Sequence, residues 1–85
     1  MEIVLTREAE KDLKYWKETS NRAIQKRITK LLESVVATPF SGIGKPEALK
    51  HNLSGCYSRR INIEHRLVYK VEKDKIVVIS LRFHY

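Results

Sequence analysis

Apolar residues recur along this chain in two different periods, and the change of period falls near residue 40. Ile3-Val4-Leu5 is a short apolar run that reads as a first strand. Thr6 can then cap a helix, with Glu8 and Glu10 in its first turns and Ala9, Leu13 and Trp16 on its apolar side. Ser20 or Asn21 can cap a second helix. Its residues Ile24, Ile28, Leu31, Leu32 and Val35 keep the i, i+4, i+7, i+8, i+11 spacing of a single face. Arg22, Lys26 and Lys30 line another side of it, as a solvated face would. Pro39 ends the pattern, because it restricts Thr38 and has no N–H for a helical hydrogen bond.

Beyond Pro39 the texture is that of loops and strands. Ser41-Gly42-Ile43-Gly44-Lys45-Pro46 is a loop by composition, and Asn52-Leu53-Ser54-Gly55 a turn. Residues 65–71 alternate His65, Leu67, Tyr69 and Val71 against Arg66, Val68 and Lys70. Residues 76–85 alternate Val77, Ile79, Leu81, Phe83 and Tyr85 against Ile76, Val78, Ser80, Arg82 and His84. Matching these faces favours a three-residue hairpin loop, Lys73-Asp74-Lys75, which pairs Val71 with Val77, Tyr69 with Ile79 and Leu67 with Leu81. A turn at Asn62-Ile63-Glu64 would set Arg60 beside Arg66. One sheet face then meets the helices, and the other collects Arg60, Arg66, Arg82 and His84.

Charge sharpens this picture. The 85 residues carry a net charge of +7. Residues 1–42 hold 8 basic and 6 acidic side chains, whereas residues 43–85 hold 9 basic and 4 acidic, together with all three histidines. An anionic partner for the second half is therefore expected. Length predicts one domain over 1–85 with a small core. One cysteine, Cys56, excludes an intrachain disulfide, and no Cys/His cluster has zinc spacing. The aliphatic run Ile76-Val77-Val78-Ile79 is too short to span a membrane, and Met1-Glu2-Ile3-Val4 does not resemble a signal peptide, so a cytoplasmic protein is expected.

Suppose that RNA lies across the basic strand face. Cleavage by its own 2′-hydroxyl needs a base, a cation for the phosphorane and an acid for the leaving 5′-oxygen. Glu47, Arg66 and His84 are of the right types, and general acid–base steps typically contribute about 10²–10⁴-fold each without metal. The separated acids of residues 43–85 do not suit a two-metal nuclease. The same residues also read as a solvated Glu47 between Lys45 and Lys50, as ordinary surface arginines at Arg59, Arg60 and Arg66, and as a frayed terminal histidine. Composition and spacing leave both readings open.

The run Thr38-Pro39-Phe40-Ser41-Gly42-Ile43-Gly44-Lys45-Pro46-Glu47-Ala48-Leu49-Lys50 resembles the YoeB/Txe family of toxin–antitoxin toxins, within the RelE-like superfamily. The likeness continues through Leu53-Ser54-Gly55, Ser58-Arg59-Arg60-Ile61, Glu64-His65-Arg66-Leu67-Val68-Tyr69 and the terminal Arg82-Phe83-His84-Tyr85, and includes Tyr15-Trp16. It implies an α+β fold, with two N-terminal helices packed on one face of a twisted, mostly antiparallel sheet. It also implies a ribosome-dependent endoribonuclease that cuts mRNA in the decoding site and halts translation, and no cofactor or metal is expected. By the family pattern Glu47 is the general base, Arg66 stabilises the transition state, His84 is the general acid and Tyr85 helps to position the substrate. Lys50 and Arg60 fall on positions implicated in phosphate or RNA contact, and Arg59 and Arg82 are expected to add to that basic surface. Cys56-Tyr57 stands where the family commonly has a larger aromatic pair.

The implied partners are the ribosome with its mRNA, and a cognate acidic antitoxin of the YefM/Phd-like kind. Operator DNA would be reached only through that antitoxin, and a homodimer is compatible with the family. The competing reading is a binding module without catalysis, either on RNA or as the antitoxin's co-repressor.

Overall fold

A computed structural model describes residues 1–83 of the chain. Strand β1 spans Glu2–Leu5 and helix α1 Arg7–Glu18. Helix α2 spans Arg22–Ala37. The remaining strands are β2, Glu47–Ala48, β3, Tyr57–Arg60, β4, Arg66–Glu72, and β5, Lys75–Ser80. A short 3-10 turn, His51–Leu53, lies between β2 and β3.

The helix boundaries have local causes. Thr6 accepts the Ala9 N–H through its hydroxyl at 3.1 Å and donates to Ile79 C=O at 2.8 Å, so one side chain caps α1 and ties it to β5. Asn21, rather than Ser20, caps α2 through Oδ1 and the Ile24 N–H. Helix α2 stops at Ala37, two residues before Pro39, as the proline predicts.

The five strands lie in the order β1-β5-β4-β3-β2. Strand β1 runs parallel to β5, and every other pair is antiparallel. Both helices contribute to one core with one face of the sheet. Ala9, Trp16, Ile28, Leu31 and Val35 meet Leu67, Tyr69, Ile76, Val78 and Leu81 there, all essentially removed from water. This is the expected α+β architecture, two helices on one face of a mostly antiparallel sheet, with β1 as the one parallel strand.

The last hairpin corrects the expected register. Its loop has two residues, Lys73-Asp74, with Lys73 in the left-handed backbone region, and it pairs Val71 with Ile76 and Tyr69 with Val78. Ile76 and Val78 therefore face the core, and Val77 and Ile79 do not reach full burial. Face matching alone argued against so short a loop, because unbroken pairing would then set Arg66 opposite Leu81. A bulge resolves the conflict. Between Tyr69↔Val78 and Val68↔Ser80 one extra residue enters β5, the phase shifts by one, and Leu81 returns to the core beside Leu67. Strand β5 also ends at Ser80 rather than running to residue 85.

Candidate active site

The sheet face turned away from the helices brings the expected chemistry together by register. Glu47 pairs with Ser58, Ser58 with Val68, and Arg60 with Arg66. Side chains directly opposite share a face, so Glu47, Ser58, Arg60 and Arg66 all rise on this side. Glu47 Oε2 lies 3.9 Å from Arg66 Nη1, and the same Nη1 donates to Ser58 Oγ at 3.4 Å. The Glu47 side chain is 62% exposed and that of Arg66 23% exposed. An ion pair so open and so long contributes little to stability, about 0–1 kcal/mol. It leaves the carboxylate open to solvent, and among the described residues only Nη1 of the Arg66 guanidinium has a side-chain partner. Arg60 and Arg66 stand directly opposite each other, a like-charge pair that an anion would relieve. Among the described residues no ion pair joins Arg60. Lys50 is exposed at the start of the 3-10 turn, close after β2, where its carbonyl accepts the Leu53 N–H.

Arg59 is a correction. It was expected on the RNA-contacting surface, but its side chain is completely buried on the opposite side of β3. All five of its N–H groups are used. Nε donates to Tyr69 Oη at 3.2 Å, Nη1 to Ser34 Oγ at 2.7 Å and Ile43 C=O at 3.1 Å, and Nη2 to Thr38 C=O at 2.6 Å and Ser41 C=O at 2.7 Å. Ser34 and Thr38 lie at the C-terminal end of α2, where the helix dipole is negative and a cation is favoured. Arg59 thus closes α2 and pins the loop that leads to Glu47, and no donor is left for phosphate. The glycines of that loop serve this packing too. A Cβ at Gly42 would come within 2.5 Å of Ser34 Oγ, and one at Gly44 within 2.7 Å of Leu31 Cδ2.

Comparison with known proteins places this geometry in a family. The sequence model of the YoeB-like toxin of bacterial type II toxin–antitoxin systems matches residues 5–85. The chain belongs to that family. Toxin YoeB of Escherichia coli strain K12 is 48% identical over 85 residues, covering 100% of both chains. The solved YoeB/ParE toxin from Agrobacterium tumefaciens is 39% identical and superposes with a TM-score of 0.95, again over 100% of both. The YoeB chain of a YoeB-YefM complex from Staphylococcus aureus is 45% identical, with a TM-score of 0.90 over 100% of this chain and 98% of that one.

In this YoeB-like toxin the approach to the C-terminus departs from the expected straight strand. Asp12 accepts the Leu81 N–H at 2.9 Å, and Trp16 Nε1 donates to Leu81 C=O at 2.8 Å. Held on both sides by α1, Leu81 leaves the ladder. Arg82 then lies against α1, its guanidinium carbon 3.5 Å from the centre of the Tyr15 ring. The expectation that Arg82 shares the basic strand face is therefore corrected. His84 and Tyr85 lie outside the described residues.

Sequence reasoning also missed two polar residues. Ser58 is fully buried beside Arg66, and its alternation with Arg60 in β3 was the available signal. Asp12 carried no signal, because its partner is a backbone N–H distant in sequence. Burial pushes the Asp12 carboxyl above the usual carboxylate range. The Leu81 hydrogen bond opposes this, Glu8 adds to it, and Arg82 and His65 oppose it. A carboxyl whose pKa rises on folding supports the fold most when protonated. Its contribution falls as the pH climbs through the raised value and stays low above it. Asp12→Asn keeps an oxygen for the Leu81 N–H without the buried charge. Thermal melts should show the variant at or above the wild-type midpoint at pH 7, by up to about 5 °C. The gap should close toward acid. A lower midpoint at pH 7 would contradict this account of Asp12.

Proposed function

We propose that this toxin is a ribosome-dependent endoribonuclease that cuts mRNA through the RNA 2′-hydroxyl and so stops translation. The observation that supports it most is the meeting of Glu47 and Arg66 on an open strand face, with Arg60 directly across from Arg66. Glu47, two-thirds exposed and next to a guanidinium, is the base that takes the 2′-hydroxyl proton. The 2′-oxygen then attacks the adjacent phosphorus, and Arg66 stabilises the charge that gathers on the phosphorane oxygens. His84 protonates the departing 5′-oxygen, and Tyr85 helps to orient the substrate. A base and an acid each supplying about 10²–10⁴-fold account for useful catalysis without a metal-bound nucleophile. Lys50 and Arg60 flank the site and bind neighbouring phosphates. Arg59 has no part in this contact.

The net charge of +7 also suits an acidic antitoxin segment, which would compete with mRNA for the same surface. The Staphylococcus aureus relative is known in complex with YefM, and a YefM-like antitoxin is the partner proposed for this chain. With ribosomes as its site of action, the protein works in the cytoplasm.

The test incubates the protein with translating ribosomes and maps message 5′ ends by primer extension. New, discrete 5′ ends are expected. Stalled ribosomes on uncut message would contradict cleavage and favour a binding module.

A further inference from the structure

The last described residue is gripped at both ends of its backbone. The Phe83 N–H donates to His65 Nδ1 at 2.8 Å, and Phe83 C=O accepts the Arg66 N–H at 2.8 Å. That carbonyl belongs to the peptide bond joining Phe83 to His84. Two adjacent residues therefore hold the segment that leads to the proposed acid, and one of them also carries the proposed phosphorane-stabilising guanidinium. Phe83 has a φ of 64°, a left-handed backbone that bulky residues rarely adopt and that persists only where the surroundings impose it.

His65 is itself well fixed. Its N–H donates to Asn62 Oδ1 at 2.8 Å, and its carbonyl accepts the Ile61 N–H at 2.9 Å. Its ring meets Trp16 edge-on, with centroids 4.9 Å apart, and lies 5.7 Å from the Phe83 ring. Trp16 is anchored in turn by its bond to Leu81. An imidazole that accepts at Nδ1 carries its proton on Nε2. Because Phe83 is 60% exposed, the bond to its N–H adds little to the core. What it determines is the direction in which the chain leaves Phe83.

We propose that His65 is a positioning residue for cleavage, whose Nδ1 fixes the Phe83 backbone, the point from which the chain continues to the proposed acid, beside Arg66. This rests on the reading of His84 as the acid. His65 acts through the tail and does not touch RNA. A misplacement of about 1 Å can lower a rate by on the order of 100-fold, so a weak surface hydrogen bond can matter greatly here.

The test compares full-length His65→Phe and His65→Asn with the wild type in single-turnover cutting of message on programmed ribosomes, over a range of ribosome concentrations. Phenylalanine keeps a ring edge against Trp16 but has no acceptor, whereas asparagine keeps an acceptor near the Nδ1 position. His65→Phe is expected to cut about 10- to 100-fold more slowly at saturation, with half-saturation changed by less than about threefold. His65→Asn should stay within about fivefold of the wild type. A wild-type rate in His65→Phe, an equal loss in both variants, or a loss confined to half-saturation would each overturn the proposal. A wild type that stalls ribosomes without cutting would instead overturn the cleavage reading. Amide exchange at Phe83 reads the grip apart from cleavage. It should be slow in the wild type and in His65→Asn and fast in His65→Phe, and fast exchange in the wild type would overturn the grip itself.

Discussion

Glu47→Gln is expected to slow message cutting on the ribosome by on the order of 10²- to 10⁴-fold, the range lost with a general base. The folded protein should hardly notice. Glu47 is 62% exposed and lies 3.9 Å from Arg66, so its ion pair is worth about 1 kcal/mol at most, and the melting midpoint should move by no more than about 5 °C. Glutamine preserves the shape and the β2 register while removing the proton acceptor. Single-turnover rates and thermal melts on the same samples check both halves of the expectation. His84→Ala should behave alike by removing the acid. Full toxicity in that variant would contradict the role assigned to His84.

The opposite pattern is expected at Arg59. Arg59→Met should destabilise the protein by about 3–5 kcal/mol, the range seen when one side of a buried charged network is removed. Five acceptors would lose their donor at once, three of them carbonyls of the segment from Thr38 to Ile43. Domains of this size are stable by only about 4–13 kcal/mol, so much of the margin would go. Arg59→Lys should be nearly as damaging, because one ammonium cannot reproduce a five-donor planar fork. Urea denaturation followed by circular dichroism measures both variants. A midpoint like that of the wild type would show that the network contributes nothing.

These two arginines also show what the sequence made legible. Arg59 and Arg60 look interchangeable as neighbours, yet a strand sends successive side chains to opposite faces. Once Arg60 is set opposite Arg66, Arg59 must face the helices. That inference was available from the turn at Asn62-Ile63-Glu64, whose register the structure reproduces. What no local pattern could show is why a guanidinium survives there. Its acceptors come from the end of α2 and the loop after it, brought together only by the fold.

The helices were readable because their causes are local. Thr6 and Asn21 act within three residues of themselves, and the apolar stripe of α2 is a matter of spacing. The final hairpin was not, because the argument from alternating faces assumes an unbroken ladder. One bulge beside Tyr69 lets a two-residue loop and a buried Leu81 coexist. The tail failed for a related reason. Arg82 follows the alternation of β5 in sequence, but Asp12 and Trp16 withdraw Leu81 from the ladder, and Arg82 lands on Tyr15. Glu47 and Arg66 were reached both from residue chemistry and from family resemblance, and β2, β3 and β4 place them together.

Cleavage through the 2′-hydroxyl is the centre of this account, and one substitution in the substrate tests it. A message that the wild-type toxin cuts on the ribosome is prepared with a single 2′-deoxynucleotide on the 5′ side of the scissile phosphate, and its ends are mapped after incubation. The deoxy-substituted message is expected to stay whole, while the all-ribose message is cut to a 5′-hydroxyl end. Cutting of the deoxy-substituted message at the same phosphate would contradict cleavage through the 2′-hydroxyl.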